Sequence, residues 1–272
     1  MLDAMKDFNF AGKTVVVTGA SMGIGAGFAR ELTRRGAKVV LVARSRDRLE
    51  TLAAELEGAE VVAEDLAKPA AAQRVFDAVT AMGLEVDVLV NNAGFGTHGP
   101  FDEIPLSTQR EAIDLNVGAL VELTHVLLPI LERRQGGVIN VASTAAFQPV
   151  PYMAVYGATK AFVLSFSEAL WAEYRPRGVR VLALCPGATE TSFFARAGEG
   201  AALGAKAPAE DVVRVALEAF RANRASVIHG TGNYLTSLIS RFTTRALTAK
   251  ISARLMKPRP PQLTAGDAAG HS

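Results

Sequence analysis

Cysteine is almost absent from this 272-residue chain. Cys185 stands alone, so no internal disulfide can form. Histidine is scarce too: His98, His125, His229 and His271 are scattered, and with one thiol they lack the spacing of a structural zinc centre, so no metal is expected. Neither sign of charge dominates. The 29 basic and 27 acidic side chains leave a net +2, too little for a general polyanion binder, and nucleic acid is not an expected partner. No run approaches about 18 apolar residues. The amino-terminal stretch MLDAMKDFNF carries Asp3 and Asp7 where a signal peptide has a basic start and a long apolar core, so a cytoplasmic location is expected. Internal repeats and a flexible interdomain linker are also missing.

What the chain has in quantity is apolar residues, 49% of the total, and 24 glycines. Roughly 250 residues is near the upper end for a single hydrophobic core, which favours one α/β domain with a modest appendage. Short β-branched runs alternate with longer helical patterns. Strands are predicted over 14–18, 38–42, 60–63, 87–91, 137–142, 180–185 and 226–230, and helices near 23–35, 46–56, 69–82, 107–133, 154–175 and 208–223. The strand runs are nearly continuously apolar, as in a parallel sheet covered on both faces. Right-handed crossovers then give a doubly wound Rossmann-type fold with seven parallel strands, expected in the order 3-2-1-4-5-6-7. This domain is expected over 1–234, a helical extension over 235–257 and a disordered tail over 258–272, which is rich in Pro, Ala and Gly. Residues 190–207 interrupt the rhythm and read as a lid or binding loop.

The first strand runs into Gly19-Ala20-Ser21-Met22-Gly23-Ile24-Gly25 and then a helix. Gly19 suits a tight turn, Gly23 lets the backbone approach a pyrophosphate, and Gly25 permits close helix packing, while free N–H groups and the helix dipole favour phosphate. A structural Gly-rich turn is the plainer alternative. At the end of the second strand, where a carboxylate would bind the adenosine ribose, the chain reads Val42-Ala43-Arg44-Ser45-Arg46. Arg44 in that position favours NADP(H) over NAD(H), unless it is only a solvated charge opening a helix. Asp65 and Leu66, after the third strand, are placed to meet adenine, with a helix-capping role for Asp65 equally open.

Tyr156 and Lys160 fall four residues apart on one helix face. A phenol with an ordinary pKa near 10 is a poor base at neutral pH, and a nearby ammonium would bring it down. Ser143 ends the fifth strand, at the edge where doubly wound folds bind ligands. Separately, each has a bland reading as a surface contact or turn residue.

Taken in order, Thr18 to Gly25, Asn91-Asn92-Ala93-Gly94, Asn116, Ser143, Tyr156 with Lys160, and Pro186-Gly187 followed by Thr191 resemble the short-chain dehydrogenase/reductase family, over about residues 10–230. The resemblance is nearest the branch with hydroxysteroid dehydrogenases and long-chain 3-oxoacyl-CoA reductases. It implies that Tyr156 is the general acid or base, that Ser143 orients the substrate oxygen, and that Lys160 binds the nicotinamide ribose and lowers the tyrosine pKa. It also implies that Asn116 holds a relay water, that Asn91, Ala93 and Gly94, with Asn92, close the cofactor floor, and that Pro186, Gly187 and Thr191, or Thr189, position the nicotinamide and pyrophosphate. A homodimer or homotetramer built on the helices at 107–133 and 154–175 follows from the same resemblance.

Specificity is expected from Phe95, Thr97 and His98, from Phe147 to Met153, and from Phe193 and Phe194, an apolar entrance suited to a lipophilic carbonyl or alcohol. Cys185 reads as a buried small apolar residue. From Arg241 to Arg259 the chain holds six basic residues and no acid, with Leu247, Ile251 and Leu255 recurring every fourth position. Such a helix either lies on anionic lipid or packs its apolar stripe on the domain or a neighbouring subunit. Two other functions stay open on the sequence: a cofactor-binding sensor or scaffold without catalysis, and a methyltransferase on a Rossmann-like sheet.

Overall fold

In the computed structural model, residues 7–190 and 206–258 are described. Seven strands form one parallel sheet: β1 (Thr14–Thr18), β2 (Lys38–Ala43), β3 (Glu60–Ala63), β4 (Val88–Asn91), β5 (Gly137–Val141), β6 (Arg180–Cys185) and β7 (Ser226–Ile228). Their order is β3-β2-β1-β4-β5-β6-β7, as expected. Val16 of β1 sits beside Val40 on one side and Leu89 on the other. The chain therefore winds outward in both directions from the β1–β4 pair, which leaves a crevice at the carboxyl ends of those strands.

Helices α1 (Gly23–Arg34), α2 (Arg46–Glu55), α3 (Ala71–Ala81), α4 (Leu106–Ile113), α5 (Leu120–Arg133), α6 (Ala154–Tyr174) and α7 (Ala209–Arg221) make the crossovers. Alternating strand residues explain the layers. Val15 and Val17 pack with Phe28 and Leu32 of α1 and with α7, while Val16 packs with Val75 of α3 and Leu127 of α5. The α6 side is closed by Val163 and Leu164 against Ala183 of β6. With both faces buried, the apolar runs are a consequence of the sandwich. Phe220 of α7 is fully buried and meets Phe8 edge-on at 5.1 Å, which ties the amino-terminal stretch to the sheet.

Two helical expectations change. The pattern read as one helix over 107–133 contains a wider π-helical turn at Asp114–Ala119 between α4 and α5. Periodicity does not reveal it, because the segment stays apolar on one side. By length and composition Leu106–Arg133 would suffice to cross a membrane. Here Leu123, Leu127 and Leu131 are spent on the sheet.

The extension expected over 235–257 is two helices, α8 (Thr231–Phe242) and α9 (Arg245–Met256). The break has a local cause. Thr244 is extended and its hydroxyl accepts from the Leu247 N–H, capping α9, while the Thr243 and Thr248 hydroxyls meet at 2.7 Å across the corner. Thr191, Phe193, Phe194 and the tail 259–272 lie outside the described residues. Ala207 N–H donates to Ala188 O and Glu190 N–H to Ala207 O, both at 2.9 Å.

Candidate active site

The crevice begins at the end of β1. Gly19 has φ +63°, and a Cβ there would stand 2.8 Å from Asn92 Nδ2 and 2.9 Å from Ala93 Cα. A Cβ on Gly25 would collide with the Gly19 carbonyl oxygen, so two glycines let α1 close onto the turn. Helix α1 then starts with no side-chain cap from Met22 and no acid in its first turn. Its free N–H groups and positive dipole end face the crevice lined by Ser21, Met22, Gly23 and Ile24, an environment that fits a pyrophosphate.

Thr18 and Asn92 lock the β1 and β4 ends together. The Asn92 and Ala93 N–H groups donate to Thr18 Oγ1 at 2.9 and 3.0 Å, and Asn92 Nδ2 donates to Thr18 O at 2.9 Å. Ala93 and Gly94 continue the floor. Asn91 does not: its side chain turns into the core and donates to Thr124 Oγ1 at 3.0 Å and Asn140 Oδ1 at 2.9 Å, because adjacent strand residues face opposite sides.

At the adenosine end, Arg44, Ser45, Asp65 and Leu66 line the cleft. Arg44 is held 3.3 Å from Glu111, a half-exposed pair of small energetic weight. Asp65 Oδ1 accepts from the Ala67 N–H at 3.2 Å, the turn-stabilising alternative, while still facing the cleft.

Ser143 follows β5 and Tyr156 opens α6, and their hydroxyls are hydrogen-bonded to each other. Ser143 Oγ also accepts from the Ala145 N–H at 3.1 Å. One turn further, buried Lys160 donates to the Val141 carbonyl at 2.6 Å, with Nζ 5.9 Å from the Tyr156 ring centre. Asn116 lies behind, in the π turn. It accepts from the Phe95 N–H at 3.0 Å and donates to Phe95 O at 2.8 Å and Thr159 Oγ1 at 3.1 Å. The approach is close: a Cβ on Gly94 would stand 2.8 Å from Asn116 Oδ1 and 3.7 Å from Lys160 Nζ.

Electrostatics differ here from the sequence expectation. Burial pushes the Tyr156 phenol above its ordinary value, and the Ser143 hydrogen bond opposes that. Burial pulls Lys160 down to about 8. The i, i+4 spacing puts both on one helix face, but the lysine stem runs to the sheet edge, where the carbonyl of Val141 accepts a hydrogen bond from it. Cys185 is fully buried and its thiol is pushed up to about 12, so it is inert at neutral pH.

The whole cleft measures about 910 Å³ and runs from Arg44 past Gly19, Gly94, Ser143 and Tyr156 to Pro186, Gly187 and Thr189. Phe95 and Met153 line its far end, but Phe147 packs instead on the cluster of Leu120, Ala142 and Val163. His98 is turned away, with Nε2 2.8 Å from the Met256 carbonyl. Sequence reasoning missed Arg48 at the adenosine end and Asn233, Ser237 and Met256 from the extension, which wall the cleft. For Arg48 the signal was available, one helical turn beyond Arg44.

A sequence profile described as short chain dehydrogenase matches residues 13–202. The chain belongs to this family. Among relatives in the family, it is 37% identical over 183 residues to the very-long-chain 3-oxoacyl-CoA reductase of Bos taurus, a match covering 64% of this chain and 59% of that one. It therefore spans well under two thirds of that reductase's length. It is 39% identical to the serine 3-dehydrogenase of Rhizobium radiobacter, covering 66% and 73% of the two chains. Among solved short-chain dehydrogenases, one from Sphingobium yanoikuyae in complex with NADPH is 32% identical with a TM-score of 0.75, covering 93% of this chain and 99% of that one. The 3-ketoacyl-(acyl-carrier-protein) reductase of Brucella melitensis, complexed with NADH, is 31% identical with a TM-score of 0.75, covering 82% and 99%. Solved members of this family thus hold nicotinamide dinucleotides of both kinds, NADH and NADPH.

Proposed function

We propose that this short-chain dehydrogenase interconverts a lipophilic ketone, fatty-acyl, steroid-like or similar, and its secondary alcohol with NADP(H), and does so in the cytoplasm. The observation that carries the reading is the hydrogen-bonded Ser143–Tyr156 pair facing the cleft, with Lys160 one helical turn on.

The nicotinamide, when bound, supplies or accepts the hydride at a substrate carbon. The protein's own residues do the rest. Ser143 donates to the substrate oxygen and holds it against the phenol. Because burial raises its pKa, Tyr156 is protonated at neutral pH, the form that donates to the carbonyl oxygen during reduction. Lys160, a lining residue of the cleft, is poised between charged and neutral near pH 8, so it can hold the ribose and resupply a proton to the phenol. Residues around Gly19 to Gly25, with Asn92, Ala93, Gly94, Gly187 and Thr189, fit the dinucleotide. The pair Arg44 and Arg48 supports a 2′-phosphate. Phe95, Met153 and Met256 give the far end an apolar lining, which supports a lipophilic substrate over a polar one. Exposed Leu106, Ile113 and Phe162 on α4 and α6 are consistent with a homodimer or homotetramer.

The test is oxidation of NADPH with a panel of 3-oxoacyl thioesters, steroids, quinones, aliphatic ketones and polar hydroxy acids. Turnover of a lipophilic member is expected, falling roughly 10²–10⁴-fold in Tyr156→Phe with NADPH affinity retained. Unchanged turnover in that variant would refute the acid–base role. Preference for a hydroxy acid would refute the substrate class.

A further inference from the structure

Helices α8 and α9 are two-faced, and only one face of each is used by the domain. Ser237 of α8 and Met256 of α9 are buried and line the cleft. On the other side of α8, Leu235, Ile239 and Phe242 are exposed, Phe242 to 87%. On α9, Leu247, Ile251 and Leu255 are 48%, 48% and 62% exposed. The apolar stripe noted in the sequence therefore does not pack on the domain.

At about 100° per residue, Leu247, Ile251 and Leu255 fall within an arc of about 80°. Lys250 and Arg254 occupy the adjoining arc, and buried Ser252 and Met256 lie opposite. The outward face of α9 is thus an apolar stripe flanked by cations. Arg245, Lys250, Arg254 and Lys257 are all exposed, and the sequence from 231 to 258 contains no acid.

We propose that α8 and α9 dock this protein on an anionic lipid surface, with the apolar stripe entering the headgroup boundary and the lysines and arginines on lipid phosphates. Charge selects this occupant. A two-fold pairing of the same face with a second copy would set cations against cations and bring no acid from either helix pair. A layer of lipid phosphates offers the opposite sign and an apolar interior together. Since the same helices wall the cleft, docking also sets the cleft mouth beside the lipid.

Lipid docking does not require turnover and is read by sedimentation. The full-length protein is sedimented with phosphatidylcholine vesicles, with and without phosphatidylglycerol, at low and high salt. Binding is expected only with the anionic lipid and is expected to weaken as salt rises. Leu247→Glu with Ile251→Glu, at exposed positions, is expected to keep the melting temperature and lose about tenfold or more in vesicle affinity. Equal binding to both vesicle types, no binding to either, or unchanged binding by the double variant would overturn the proposal. So would a wild-type dimer that the double variant dissociates while vesicle binding stays absent, since the face would then be an interface between copies.

Discussion

Lys160 donates to the Val141 carbonyl at 2.6 Å and stands 5.9 Å from the centre of the Tyr156 ring. The ammonium is therefore held by a backbone carbonyl. It is anchored to the end of β5, in a buried position that disfavours its charge and holds its pKa near 8.

That burial has a signature in stability. Folded Lys160 titrates near 8 and an unfolded lysine at 10.5, so between those values the unfolded chain binds more protons and stability rises with pH. The gap corresponds to about 3 kcal/mol. Wild type should thus gain stability relative to Lys160→Met as pH rises from 7 to 10.5, read from paired denaturant melts. A difference between the two proteins that stays flat over this range would show that the lysine is not depressed.

Gly94 gives a second, sharper test. A methyl group there would press on Asn116 Oδ1, which is held by the Phe95 backbone and cannot swing freely. Gly94→Ala should leave the fold intact and displace Asn116 and Lys160, lowering kcat by roughly 10–100-fold, since displacements of about 1 Å cost that much. Unaltered kcat would mean that the close approach is not used.

The proposed preference for NADP(H) rests on Arg44 and Arg48, which line the adenosine end of the cleft. A charge-assisted contact is worth about 1.5–3 kcal/mol, so losing Arg44 should raise the Kd for NADPH by roughly 10–100-fold and leave NADH nearly unchanged. The Glu111 pairing makes the reciprocal variant informative. Glu111→Gln frees Arg44 and should tighten NADPH modestly. Equal NADPH affinity in wild type and Arg44→Ala would refute the assignment.

Much of this site was legible because it is built from local patterns. The glycine turn, Asn92 to Gly94, Ser143 and the Tyr156–Lys160 spacing all sit at strand ends or helix starts; close approach demands the glycines, while the serine, tyrosine and lysine were legible through the family resemblance. Asn91 was misread because it is next to Asn92 in a strand and so faces the opposite way. Phe147 was misread because its apolar character suits a core cluster as well as a substrate wall. The π turn at Asp114–Ala119 was invisible because it changes hydrogen-bonding register without changing composition.

By itself the sequence determined the strands, the parallel sheet covered on both faces and the glycine turn between β1 and α1. These follow from apolar period, crossover handedness and turn chemistry, which are local or topological, whereas joining Ser143, Tyr156 and Lys160 into one site is what the family resemblance implied. Tertiary structure alone decided where Lys160 places its charge, that Asn116 reaches the Phe95 backbone, and that α8 and α9 line the cleft with one face while leaving the other bare. Those depend on contacts between residues as far apart as His98 and Met256, and a stripe of leucines looks the same in sequence whichever side it is turned to.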